Sequence, residues 1–538
     1  MIWIALILVA VLCLAPIGAL LAEFHWSGFF SLLKSPFFLK SVESTLSTGV
    51  SAALISVCIA LYFARQFALY KWFGQRRQRL LLLVPYLVPN FILAMSFVLA
   101  ENPGTGLLNS VLKFPEGLYG RGGLITLFSI VHMPVAFLLL EEKFRRIDSS
   151  LRESARLSGA SSSQVFFTIE APLLIPSIVS AVGLCFALNI SAFAIPAWIG
   201  APAHVYLLTY KVYQAIQLGG ADGLGEASLY GMVLLVLAIV PFALGFLVQK
   251  NEKKYVLLSG KSSRQVFAQQ SKKTFLIFQI IFLIFQITFW FAPLFCLFLS
   301  TIVKPGCLQE TGLQCLRDAT LSHYVYVMTG LDETWAAAKG SLVYGSLSAL
   351  IILALAITIV FIFSRRKNLL NLVESIAAAP LATPGAIIAL GLIIVAGGRF
   401  GFNLYNTPWI VVLAFVIKHL SFAVSPLKAG LKNISGTLFE AARVSGASEL
   451  KIWKLIVLPL LQPEILGGFF LVLVPILGEL TMSVFLSSPS FRSFGTVLFD
   501  LQDYADQASA GALALLLVAL ILVLNGITRI LSGGKLGY

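Results

Sequence analysis

Two stretches of this 538-residue chain carry one pattern of residue types, 287 positions apart. The first runs Glu153-Ser154-Ala155, then Gly159 and Ala160, then Ile169 and Pro172. The second runs Glu440-Ala441-Ala442, then Gly446 and Ala447, then Ile456 and Pro459. These residue types suit mechanical work. Glu and Ala are good helix formers, and Ala keeps one helix face thin enough for close approach by another surface. Glycine breaks a helix and permits a sharp turn. Each stretch is predicted to form two short helices meeting at Gly159 or Gly446.

The likeness extends beyond the pattern. From His132 the chain reads HMPVAFLLLEEKFRRIDSSLRESARLSGASSSQVFFTIEAPLLIPSI, and from His419 it reads HLSFAVSPLKAGLKNISGTLFEAARVSGASELKIWKLIVLPLLQPEI, in register without a gap. An internal repeat of this kind signals a duplicated architecture. An amphipathic helix lying on a membrane surface would explain neither the duplication nor the spacing. His132 and His419 are equivalent, and packing or hydrogen bonding is their expected role.

Composition names the solvent. Hydrophobic residues make up 58% of the chain and charged residues 12%, whereas soluble domains run about 45–50% apolar and about 25% charged. The bilayer must therefore cover much of the surface. Twelve apolar runs are long enough to span: 2–22, 44–68, 80–100, 122–140, 173–198 and 226–249, then 274–303, 338–364, 375–397, 408–425, 464–486 and 508–530. The first lacks the basic start of a secretory signal and reads as an uncleaved helix. The predicted fold class is an all-α polytopic membrane protein with about twelve transmembrane helices in two homologous six-helix halves, residues 1–250 and 274–538. A basic, polar linker, 251–273, joins them.

The net charge of +14 does not point to nucleic acid. Most Lys and Arg residues cluster in alternate connections, as the positive-inside rule requires, which puts both termini in the cytoplasm. Both copies of the repeat then fall in cytoplasmic loops, each after the fourth helix of its half.

The second copy, EAARVSGASELKIWKLIVLP (440–459), resembles the EAA loop of ABC importer permeases at Glu440, Ala441, Ala442, Gly446, Ile456, Leu458 and Pro459. The first copy, ESARLSGASSSQVFFTIEAP (153–172), departs from that pattern at Ser154 and Ala171. The segments 190–217 and 476–512 resemble the region after the loop in fused permeases of the ferric-iron importer group, to which thiamine, polyamine, sulfate and phosphonate permeases are related. The resemblance implies the type I ABC importer permease fold in a bacterial inner membrane, with access alternating between the two faces. It implies a chain that is not itself an enzyme, two copies of a partner ATPase docked on the EAA loops, and a periplasmic substrate-binding protein. No G-x-x-x-x-G-K-[S/T] phosphate loop occurs, so ATP and Mg are expected on the partner, and this chain is expected to carry no cofactor. Ferric iron is the expected cargo, with thiamine, polyamine, phosphonate or sulfate as the alternative in the same permease role.

Polar groups at membrane depth are costly and often mark a pathway. Asn189 and Ser191 in the fifth predicted span, and Glu479 and Thr481 in the eleventh, are candidates to line one, and a carboxylate would suit a cation. The alternative for Glu479 is a pair with a neighbouring helix or a place near the outer interface. No His, Cys and carboxylate cluster has ligand spacing, so no stable metal site is predicted. Four of the six cysteines lie in apolar runs. Cys307 and Cys315 share an outer loop, where an oxidising periplasm would favour a disulfide. Two rivals come from other classes: a secondary transporter, which would not need EAA loops, and a membrane thiol oxidoreductase using Cys307 and Cys315.

The topology is testable. Single cysteines near Lys261 and Lys367 are expected to label only from the cytoplasm, and cysteines near Glu310 and Gly219 only from outside. Periplasmic labelling near Lys261 would overturn the twelve-helix arrangement.

Overall fold

Hydrocarbon offers no partner to a backbone N–H or C=O, so a spanning segment must satisfy its own, and helices do so. The computed structural model describes residues 2–101, 118–218, 223–250, 272–304, 312–398, 401, 403–488, 491–503 and 506–531. Among them the β-type pairings are two isolated bridges, Gly397 with Asn403 and Ser488 with Phe491. The linker 251–273 lies outside the described residues except for its last two positions.

Nine helices among the described residues are long and apolar enough to cross a membrane. They are α1 (Ile2–Ala22), α2 (Pro36–Leu69), α5 (Arg121–Arg146), α7 (Ser162–Ser191), α8 (Gly223–Lys250), α9 (Lys272–Ile302), α10 (Asp332–Phe363), α13 (Pro408–Asn433) and α18 (Gln507–Leu531). Three bent pairs bring the total to twelve: α3 (Gln75–Leu87) with α4 (Asn90–Glu101), α11 (Lys367–Ala382) with α12 (Gly385–Ala396), and α15 (Glu449–Leu460) with α16 (Gln462–Leu477). Two short helices, α6 (Ser149–Leu157) and α14 (Gly436–Val444), precede α7 and α15, and α17 (Thr481–Phe485) follows α16.

Each predicted span thus meets a helix or a bent pair, and the first two bends correct the expectation of continuous runs at 80–100 and 375–397; the third bend precedes the run 464–486, which is itself interrupted between Leu477 of α16 and Thr481 of α17. The three bends reach 92°, 101° and 68°. Proline is the cause. It lacks an N–H, its ring crowds the carbonyl four residues back, and it biases the preceding residue out of the helical region. Pro89 and Pro384 stand at the first two breaks, Pro85 and Pro380 lie inside the helices before them, and Pro459 and Pro463 flank the third. Pro85 and Pro380, like Pro89 and Pro384, are 295 positions apart, so the first two bends are one feature in duplicate.

A break inside a membrane leaves carbonyls without partners. At the α11–α12 bend they are met by a cation. Lys418 on α13 donates to the backbone oxygens of Pro380 (3.1 Å), Leu381 (3.2 Å) and Thr383. The end of α11 is the negative pole of its helix, which suits an ammonium group.

The chain divides into two compact units. The first comprises Met1–Trp26, Val212–Met232 and Thr320–Tyr538, the second Ser27–Lys211 and Val233–Ala319. Within the first unit α1 packs on α11 and α12. Gly391 of α12 permits this, because a Cβ there would stand 2.2 Å from the Pro16 carbonyl oxygen. Within the second unit α9 packs on α4 and presents Phe278, Phe282 and Phe285 to Phe63 of α2, while Phe278 stacks on Trp72 at 3.9 Å. The helix that opens each sequence half is therefore grouped with the body of the other half.

Replacing Lys418 with Met leaves these carbonyls without a charged donor. Hydrogen bonds to charged groups contribute about 1.5–3 kcal/mol. K418M is expected to lower thermal stability in detergent by a few kcal/mol, on the order of that figure, and K418R is expected to retain most of it. Equal melting of K418M and the unaltered chain would show that the bend needs no such donor.

Candidate functional site

The two repeat copies share their helix caps and turns. Asp148 caps α6 by accepting from the Ser150 N–H (3.0 Å), and Ser435, its repeat equivalent, caps α14 by accepting from the Thr437 N–H (3.3 Å). At the far end of α6 the Gly159 N–H donates to Arg156 O (2.9 Å) and the Ala160 N–H to Ala155 O (3.0 Å). In α14 the Gly446 N–H donates to Arg443 O (2.9 Å) and the Ala447 N–H to Ala442 O (3.0 Å). This pair of bonds closes a Schellman cap, whose last turn needs a left-handed residue. Gly159 has φ +85° and Gly446 φ +78°. A Cβ at either would meet nothing within 4 Å, so backbone conformation, not crowding within the chain, explains the glycine. The spacing of Ala155, Gly159 and Ala160, and of Ala442, Gly446 and Ala447, is the spacing of that cap.

The second helix of each loop begins at a serine. Ser161 accepts from the Gln164 N–H and Ser448 from the Lys451 N–H. Both helices then widen into a π-helical turn, Phe166–Glu170 and Trp453–Val457, again at equivalent positions. Ile169 and Ile456 lie in these turns, and Pro172 and Pro459 follow them. The Ala171 N–H reaches Phe166 O, and the Leu458 N–H reaches Trp453 O, five residues back. The wider turn shifts the hydrogen-bond ladder just before a residue that cannot join it. Here the copies diverge. The first continues straight through α7, whereas the second breaks at Leu461.

Each loop is anchored by charge to its own unit. Glu170, fully buried, accepts from Arg65 of α2 (2.6 Å) and Arg152 of α6 (2.8 Å). Arg65 also donates to the Ser162 carbonyl (3.1 Å), and Arg152 to the Phe144 carbonyl (3.1 Å). Burial lowers the Arg152 pKa from its ordinary value, and the charge and hydrogen bond of Glu170 oppose that shift. In the second loop Arg443 donates to Glu449 (3.0 Å), and Arg365, just beyond α10, also pairs with Glu449. Pattern comparison passes over Glu170 because its repeat equivalent is Val457. The clue is an acid next to an apolar run, with basic residues at the ends of neighbouring helices.

What each loop leaves uncovered is also duplicated. Glu153, Gly159, Glu440, Ala441 and Gly446 are exposed, and Ala155, Ala160, Ala442 and Ala447 are half-buried. Leu157 and Val444, equivalent positions, are each 89% exposed. An apolar side chain is thus bare in the same place in both copies, beside a thin Ala surface.

The intramembrane candidates are placed differently from expectation. Asn189 belongs to a buried hydrogen-bonded cluster. It is fully buried, its Oδ1 2.6 Å from His132 Nδ1 and its Nδ2 donating to Gly49 O (2.9 Å). An amide this deep in apolar surroundings must satisfy its own groups, and it ties α7 to α5 and α2. His419 is likewise buried, with Nδ1 3.1 Å from Phe415 O. Ser191 is half-buried and donates to Ala187 O. Glu479 does not lie within a helix. It stands in the connection between α16 and α17, where its carboxylate accepts from the Met482 N–H (3.0 Å) and the Ser483 N–H (3.1 Å). Half-buried Thr481 begins α17, beside Gly385 of α12.

Among the described residues no group of three or more His, Cys, Asp or Glu side chains could hold a metal ion. Cys13, Cys185 and Cys296 are buried free thiols, and Cys58 is an exposed one. Cys307, and with it the expected Cys307–Cys315 disulfide, lies outside the described residues.

The family of binding-protein-dependent transport system inner membrane components matches the chain twice, over residues 56–253 and 351–535. The chain belongs to that family. Each match contains one copy of the repeat. This multi-pass membrane chain has the family's type I importer permease fold, as a fused pair. The ferric transport system permease protein FbpB of Actinobacillus pleuropneumoniae is 24% identical over 82% of this chain, which spans 63% of that relative's length. The Fe(3+)-transport system permease protein FbpB 2 of Haemophilus influenzae is 22% identical, over 90% of this chain and 89% of its own. A Salmonella paratyphi A protein described as a 2-aminoethylphosphonate transport permease, PhnV, is 28% identical over 44% of this chain and 87% of its own length. A relative that fits into half of this chain accords with a fused family member.

The cap geometry predicts how the turn glycines respond to change. A side chain at a left-handed position costs about 1–2 kcal/mol, and Asn tolerates it best. G159A and G446A are each expected to destabilise the chain by roughly that amount, with G159N and G446N clearly milder. Thermal unfolding of the four variants in detergent measures this. Asn variants as damaging as Ala would argue against the left-handed cap.

Proposed function

We propose that this chain is the membrane-spanning permease subunit of an ATP-driven, binding-protein-dependent importer, and that its cargo is ferric iron. The carrying observation is the duplicated, capped helix-turn-helix in each half, which leaves an apolar residue bare at the same position, Leu157 or Val444, near its left-handed glycine. Each loop docks one copy of an ATPase subunit, which binds ATP and Mg and performs the hydrolysis. Loop 153–172 transmits the ATPase's closure to α7, and loop 440–459 transmits it to α15 and α16. Rigidity is needed for that transfer. The Glu170 anchor on Arg65 and Arg152, and the Glu449 anchor on Arg365, fix each loop to the helices it must move. Alternating access then carries cargo inward from a periplasmic binding protein, with both termini of the permease in the cytoplasm of the bacterium. Support for ferric iron comes from the two ferric permeases that align over most of the chain.

The test is ATP-driven uptake in vesicles holding the permease and its ATPase, with the binding protein supplied outside. Radiolabelled ferric iron is expected to accumulate. Gly446→Leu is expected to abolish uptake and weaken co-purification of the ATPase, Gly159→Leu to do the same less severely, and a charge reversal at Lys261 to do little. Full uptake by both glycine variants would remove the coupling role. The phosphonate relative makes 2-aminoethylphosphonate the comparison solute, and its uptake with iron inert would overturn the cargo.

A further inference from the structure

The stem of each loop helix pair is braced by a charge bridge, and the two bridges have opposite polarity. In the first half, Arg79 of α3 donates to Glu141 of α5 at 2.8 Å, and Arg145, one turn on, holds the other Glu141 oxygen at 2.7 Å. In the second half, Lys428 of α13 pairs with Glu374 of α11, and Asn371 and Ser425 complete the cluster at 2.5 and 2.9 Å. These are the same positions. Glu141 and Lys428 are 287 apart, the offset of the loops, and Arg79 and Glu374 are 295 apart, the offset of the paired prolines at the bends. On the long helix the charge is buried in both halves, Glu141 at 1% exposure and Lys428 at 8%. It is an acid in one half and a base in the other. The next turn does not invert, since Arg145 corresponds to Lys432.

We propose that this inversion is a pairing code, which directs each bent span onto the long helix of its own half. Sequence proximity alone does not choose partners in this chain, because α1 is grouped with the second half's helices and α9 with the first's. A misplaced α3 would bring Arg79 to Lys428, and a misplaced α11 would bring Glu374 to Glu141. Each would bury an unmatched charge against its like, an arrangement far more costly than leaving a matched pair in place. Bridges of equal polarity would hold each half equally well and would not tell the halves apart.

Reciprocal swaps in the full chain separate the code from the local bridge. R79E/E141K gives the first half the second half's polarity, and E374R/K428E does the converse. Both keep the bridge between bent span and long helix matched; R79E/E141K gives up the Arg145–Glu141 contact and leaves a base one turn beyond a base, as the second half naturally has with Lys428 and Lys432. The quadruple variant inverts both halves and restores the difference between them. Yield of monodisperse protein in detergent and its melting temperature are the readouts, and neither depends on cargo or ATPase. The expected result is a marked loss of folded protein for each double variant and recovery toward the natural level in the quadruple variant. Double variants that fold as well as the natural chain would overturn the proposal, and so would a quadruple variant no better than the doubles.

Discussion

In an apolar solvent no backbone polar group can be left to water, and this structure depends on that constraint. Helices answer it by default, so the informative places are those where the helix stops. Proline stops it at three bends, and each stop frees carbonyls or shifts the ladder. Lys418 meets the carbonyls at the end of α11. The Glu479 carboxylate meets the first N–H groups of α17. The π-helical turns over Phe166–Glu170 and Trp453–Val457 redirect the ladder ahead of Pro172 and Pro459. Several of the polar residues that look out of place in a hydrophobic sequence are therefore completing the backbone.

The same constraint governs the ionised side chains. A buried charge survives only with partners, and Glu170 and Glu141 each hold two arginines. These pairs stand at the junction between membrane helices and loops. Fusion of two halves into one chain matters here. Identical subunits must carry identical charges at equivalent positions, whereas fused halves can differ, as Glu141 and Lys428 do. The loops themselves stay alike in caps, turn glycines and exposed apolar tips, which fits two copies of one docking partner meeting two equivalent surfaces.

The conserved shape and the divergent anchors follow from different demands. A Schellman turn has few solutions: a left-handed residue with small neighbours, which Ala155, Gly159 and Ala160 supply, and Ala442, Gly446 and Ala447 supply again. An anchor needs only opposite charges within reach, and many placements provide that. The first loop is held from inside through Glu170, and the second through Glu449 at the start of its second helix. The break at Leu461 gives the second half a joint that the first half lacks.

By itself the sequence determined the spans, the duplication and the loop turns, because these rest on local physics: apolar run length, residue type at a fixed offset, and the freedom of glycine at φ above zero. It also placed the prolines, though not the angles of the bends they cause. Only the tertiary structure decided which polar residues in the spans are committed to packing. Asn189 looks in sequence like a pathway residue and is buried between His132 and Gly49, since its partners lie on helices distant in the chain. Lys418, Glu170 and the Arg79–Glu141 and Glu374–Lys428 bridges were invisible for the same reason. So was the grouping of α1 with the second half's helices. A pattern along the chain records which residues are neighbours in sequence, while a buried polar group is explained only by the neighbours it has in space.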